Sequence, residues 1–210
     1  MIHLVIAPIV EGHGEVAALP ILLRRIGQEY CPDTFVEVLQ PIRQPASSLV
    51  KTTNPSLHKA VSLATGKLAA HSNSVDRKLI LIVIDAEGRC AANLGPELKM
   101  RAEAIVGHMN ISSVIAVDEY ETWFVAAAES LSKYINASPD EIPLNPETTG
   151  TKKKWIDDRY RGVKYSETVD QPKFSSAMDL RLCRSRSPSF DKLCRDIERM
   201  AILGDDVAVI

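Results

Sequence analysis

The sequence has no C-x-x-C pair, no long hydrophobic run, no large excess of charge and no internal repeat. Each absence removes a class of protein. Cys31, Cys90, Cys183 and Cys194 lie far apart and follow no basic-then-apolar leader, so neither a zinc ribbon nor a disulfide framework is expected. A cytoplasmic setting is the corresponding expectation. The longest purely aliphatic stretch, Leu79 to Ile84, is far shorter than the ~20 residues a spanning helix needs. A net charge of −2 argues against a protein that coats nucleic acid unselectively.

The residues that are present describe a globular α/β chain. Hydrophobic residues at 45% and charged residues at 25% are ordinary for a folded domain, and 210 residues suffice for one substantial core. Charge is divided along the chain. Residues 1–150 carry 12 basic and 17 acidic side chains, whereas residues 151–199 carry 13 basic and 8 acidic. The first part is suited to cations and the second to a polyanion.

Hydrophobic periodicity predicts alternating elements. Ile2 to Val10 reads as a strand that runs into the loop Glu11-Gly12-His13-Gly14-Glu15. Val16, Leu19, Leu22, Leu23 and Ile26 mark an amphipathic helix over 15–29, with Pro20 expected near its first turn. Strands are predicted at 35–39, 79–84 and 112–117, helices at 57–68 and 97–108, and a loop around Pro41, Pro45 and Pro55. A short helix through Trp123 and a Pro-containing loop from Pro139 to Pro146 follow. From Asp179 to Leu203 an arginine-rich helical pattern returns, broken at Pro188, with Ser187 or Ser189 as a cap. Alternation of this kind implies βαβ units and a mostly parallel sheet of about four strands flanked by helices. The expected organisation is a metal-binding core over 1–130 and a basic helical C-terminal appendage over 131–210 packed on it.

In parallel sheets ligands bind beyond the carboxyl ends of the strands. Three predicted strands end in acid: Glu11 with Glu15, Asp85 with Glu87, and Asp118 with Glu119 and Glu121. Converging carboxylates repel one another unless a cation is present, and oxygen ligands without paired His or Cys favour Mg²⁺ or Mn²⁺. Taken singly, each acid could instead be a solvated loop residue or a helix cap. Gly12-His13-Gly14 lacks the Gly-Lys-Ser/Thr of a phosphate-binding loop, and the other histidines show no ligand spacing. Trp123 and Phe124 are expected to be core anchors that seat the Glu121 loop. Lys152, Lys153, Lys154, Arg159, Arg161 and Lys164 form either a solvated face or a stripe that contacts phosphates without reading bases.

Val10-Glu11-Gly12 with Glu15, and Asp85-Ala86-Glu87 after the aliphatic run, resemble the Toprim pattern of a glutamate after strand one and an Asp-x-Asp pair after a later strand. Over nearly the whole chain the order of motifs is similar to a bacterial family of Toprim-like domains of unknown function, found with ATPase partners in defence loci. The shared features are the Glu-Gly-x-x-Glu start, the acidic strand end followed by Cys90, Glu121-x-Trp123-Phe124, and the stretch from Ser187 to Leu193.

That resemblance implies Mg²⁺- or Mn²⁺-dependent phosphodiester hydrolysis of DNA or RNA, as in the overcoming-lysogenization-defect nucleases. Glu11, Asp85 and Glu87 would be catalytic, with Glu11, Glu15, Asp85, Glu87 and Glu121 around the metal. Glu87 departs from the pattern by one methylene, which metal binding tolerates better than turnover does. A non-catalytic subunit that binds nucleic acid or a nucleotide and works with an ATPase partner is the alternative, and a nucleotide-binding regulator a third.

Overall fold

A computed structural model describes residues 1–202 except 72, 74 and 149. Nine residues, apolar apart from His3, make β1 (Ile2–Val10), and the chain turns at Gly12 into α1 (His13–Tyr30). Next come β2 (Thr34–Val38), the two-residue β3 (Ile42–Arg43), α2 (Ala46–Val50) and α3 (Ser56–His71). The second βαβ run is β4 (Arg77–Asp85), α4 (Ala91–Val106) and β5 (Asn110–Ala116). The remainder is helical: α5 (Thr122–Ala126), α6 (Lys152–Asp157), α7 (Glu167–Ala177), α8 (Leu180–Arg186) and α9 (Pro188–Ile202).

The sheet is parallel, in the order β2-β1-β4-β5, and β3 extends its β2 edge by pairing Ile9 with Ile42 and Val10 with Arg43. It has the parallel architecture expected of alternating strands and helices. β1 connects outward to β2 on one side, while β4 and β5 build outward on the other. The switch point therefore falls between the carboxyl ends of β1 and β4, where open α/β sheets bind ligands.

Both faces of the sheet are apolar. Leu4, Ile6, Leu79, Leu81 and Val114 pack with α1 and the C-terminal helices, whereas Val5, Ala7, Ile9, Ile80, Ile82 and Ile84 pack under α3 and α4. Phe174, Phe190, Leu193 and Ile197 join the first of these cores together with Leu19 and Leu22 of α1. The C-terminal helices thus complete a layer that α1 alone leaves uncovered. Among the described residues, no helix is long and apolar enough to cross a membrane.

Several local expectations shift. Pro20 lies well inside α1 rather than at its start, because the helix begins at His13. Its missing N–H falls on the partly exposed face beside Val16 and Ala17, where water can satisfy the freed carbonyl. The predicted proline loop contains β3 and α2, and α4 starts six residues earlier than Glu97. Ser187, not Ser189, caps α9: its Oγ accepts from the Phe190 amide at 3.2 Å, with Pro188 in the first helical position. The expected helix end at Leu203 and the rest of the appendage to 210 lie outside the described residues.

Close approach of α1 to β2 depends on Gly27, where an added Cβ would lie 2.4 Å from Val36 Cγ2. Gly27→Ala should therefore cost about 1–3 kcal/mol through overpacking, read as a lower urea midpoint with an unchanged slope.

Candidate functional site

The ends of β1, β4 and β5 bring their acids together. Glu11 follows β1, and its Oε2 accepts from the Asp85 amide at 3.4 Å, linking the two central strand ends at the switch point. Glu15 stands in the first turn of α1 and folds back, its Oε2 accepting from the Glu11 and Gly12 amides at 3.0 Å each. Those amides are otherwise unpaired at a helix start, which explains the inward turn of this carboxylate. Glu121, completely buried, precedes α5 and is anchored by Trp123 and Phe124, both fully buried as expected.

These carboxyl groups lie near enough to act on one another electrostatically. Burial raises the Asp85 carboxyl well above its ordinary range, and Glu15, Glu121 and Glu11 push it further. Burial also lifts Glu15 to about 7, helped by Glu11 and Glu121 and opposed by the two amides it caps. Glu11 is raised by burial and by Glu87. Glu121 is raised by burial against the lowering effects of Gln171, Lys153 and Tyr165. Four carboxyl groups with raised pKa values at one strand edge form a site that a cation would stabilise.

Lys153 of α6 is the cation the chain itself supplies. Its ammonium pairs with Glu167 at 2.8 Å and is held in the charged form by Glu121, Glu167 and Asp85, which outweigh the burial that would lower its pKa. Its amide donates to Glu119 Oε2 at 2.8 Å. Two further residues that sequence reasoning missed reach the site. The Tyr165 hydroxyl and the Gln171 amide donate to Glu121 Oε1 at 2.9 and 3.0 Å.

The other proposed residues are placed differently. Glu87 is exposed in a turn with φ +47°, pairs with Arg89 at 3.7 Å, and helps to raise Glu11. Lys152 must be withdrawn from the phosphate-contacting stripe, because its ammonium is buried against Asp118 at 2.8 Å and the Gly150 carbonyl. Arg159 stacks on Trp155 at 4.5 Å and reaches Glu141, while Arg161 binds the Ser132 carbonyl and Asn136. These two arginines tie the 132–141 segment to α6. Lys153, Lys154 and Lys164 remain along a groove of about 510 Å³, but Asp157, Asp158 and Glu167 line it as well.

The carboxylates are not closed into a cage. Among the described residues, no three His, Cys, Asp or Glu side chains are arranged to hold an ion. Glu15 and Glu11 are turned onto backbone amides, which accounts for this. The donor set nevertheless fits a hard cation, since Glu121 Oε2 is buried without any hydrogen-bond partner. Residues 10–198 match the model of a domain of unknown function, DUF4276, and the chain belongs to that family. No curated protein and no solved structure matches the chain.

Proposed function

We propose that the chain is a Mg²⁺- or Mn²⁺-dependent phosphodiester hydrolase of nucleic acid, related to Toprim nucleases. The observation that carries this reading is the meeting of Glu11, Glu15, Asp85 and Glu121 at the switch point, with one buried Glu121 oxygen unpartnered. Asp85 and Glu121 would hold the ion, with Glu11 and Glu15 completing its surroundings after release from the amides they now accept. When bound, the ion supplies Lewis acidity toward a phosphoryl oxygen and a more acidic water. Glu11 is half-buried with a raised pKa, which suits its carboxylate to moving a proton on and off the attacking or leaving oxygen. Lys153 stands beside the same acids and would meet the non-bridging oxygens of a phosphate. Lys154 and Lys164 extend positive charge along the adjoining groove.

A specific observation favours a second reading. The outward Glu87 leaves the Asp-x-Asp pair without its second inner member, as in a subunit that binds nucleic acid or a nucleotide and depends on an ATPase partner for its effect. Incubating the purified protein with labelled single-stranded DNA, duplex DNA and RNA distinguishes the two. Cleavage that requires Mn²⁺ or Mg²⁺ and stops with chelator is the expected result. Metal-dependent binding without cleavage, with or without an ATPase, selects the second reading. Failure to bind any of the three removes nucleic acid as the ligand.

A further inference from the structure

We infer that Tyr165 and Gln171 are positioning residues of the carboxylate centre, and that they aim the free oxygen of Glu121 at the bound cation. This rests on the metal reading above and assigns it a supporting shell drawn from the C-terminal helices. The two oxygens of Glu121 are treated unequally. Oε1 accepts from both the Tyr165 hydroxyl, at 2.9 Å, and the Gln171 amide, at 3.0 Å, whereas Oε2 has no partner although the residue is fully buried. A buried carboxylate oxygen left without a donor is costly, and most buried acceptors are paired. Two donors on one oxygen fix the carboxylate plane and leave the second oxygen free to take a cation, which is how supporting groups orient metal-binding carboxylates.

The fold is shaped to bring those donors in. An added Cβ at Gly14 would lie 2.2 Å from Gln171 Oε1 and 2.8 Å from the Glu167 carbonyl, so the first turn of α1 admits α7 at this distance only as glycine. The start of α7 is fixed by Asp170 Oδ2, which accepts from the Ser166 amide at 2.9 Å, while the other oxygen, Oδ1, accepts from both the Tyr160 hydroxyl at 2.7 Å and the Lys173 ammonium at 3.0 Å and so keeps a partner without Tyr160. Tyr160 therefore provides a control: its hydroxyl also donates to a carboxylate, but to Asp170 of α7 and not to Glu121, which precedes α5.

The test is calorimetric titration of the full chain with Mn²⁺, with melting temperature measured alongside. Tyr165→Phe should weaken Mn²⁺ binding about 10–100-fold, the usual effect of losing a supporting hydrogen bond. Tyr160→Phe should leave it unchanged even where it lowers the melting temperature equally. Gln171→Met, which keeps length but loses the donor, should repeat the Tyr165→Phe result and serves where that variant does not fold. Wild-type affinity in both site variants, or equal weakening in Tyr160→Phe, overturns the assignment. A wild type that does not bind Mn²⁺ overturns the metal reading and the assignment with it, so the two failures are told apart by the parent protein.

Discussion

Asp85→Ala is expected to reduce Mn²⁺-dependent cleavage by about 10³-fold or more while leaving nucleic-acid binding within a few-fold of wild type. Removing a central carboxylate forfeits several kcal/mol of charge stabilisation at the reacting phosphate, and each 1.36 kcal/mol is about tenfold in rate. Binding survives because the phosphate-facing charge resides on Lys153, Lys154 and Lys164, not on Asp85. Glu87→Ala should cost far less, about tenfold or below, since Glu87 is exposed and paired with Arg89. The contrast is informative. A strict Asp-x-Asp pair predicts equal losses from Asp85 and Glu87, whereas the observed grouping predicts that Glu121→Gln resembles Asp85→Ala and that Glu87→Ala does not. Single-turnover cleavage and filter binding on the same preparations measure both quantities. Equal losses from Asp85→Ala and Glu87→Ala would overturn the grouping.

The parts legible in the sequence are those fixed by periodicity. The run from Leu79 to Ile84 is apolar at every position because alternate residues face two different helical layers, and its end at Asp85 marks the carboxyl edge of the sheet. The same logic placed Glu11 and Asp85 at strand ends, and those strands, β1 and β4, are adjacent in the sheet. What was illegible depends on contacts distant in sequence. α7 buries Asp170, Gln171 and Ser175 beside the single aromatic Phe174, with no apolar stripe, and it carries Pro172, so its pattern does not read as a helix. Gln171 acquires its role only when α7 crosses α1 at Gly14. In Lys152-Lys153-Lys154 identical charges have three fates, one buried on Asp118, one beside the carboxylates and one exposed on Asp158. Composition records the charge of a side chain but not the direction in which a helix points it.

Without divalent metal the protein should lose stability as pH rises from about 4.5 toward 8, and excess Mn²⁺ should flatten that loss. Glu15 is raised from its ordinary 4.5 to about 7, and Asp85, Glu11 and Glu121 are raised as well. Between the unfolded and folded pKa values the folded protein binds more protons, so stability falls with rising pH. The Glu15 shift alone corresponds to at most roughly 3 kcal/mol, and because the four acids share one mutual repulsion their contributions overlap rather than add.

Glu37, Asp76 and Glu129 behave in the opposite sense. His71, the Asn73 amide and Arg186 respectively hold them below their ordinary range, so their stabilisation is lost only as pH falls through those depressed values. The maximum for the metal-free protein should therefore lie near or below about pH 4.5, and urea melts in chelator should show lower stability at about pH 8 than at about pH 5. Mn²⁺ at about a hundred times its dissociation constant would add about 2.7 kcal/mol to the native state, chiefly at the higher pH where the carboxylates are ionised. Glu15→Gln separates repulsion from capping. Its amide oxygen can still accept from the Glu11 and Gly12 N–H groups, so the variant should be more stable than wild type near pH 8 and little changed near pH 5. A metal-free wild type equally stable at both pH values would mean that neither burial nor mutual repulsion raises these carboxyl groups in the folded protein.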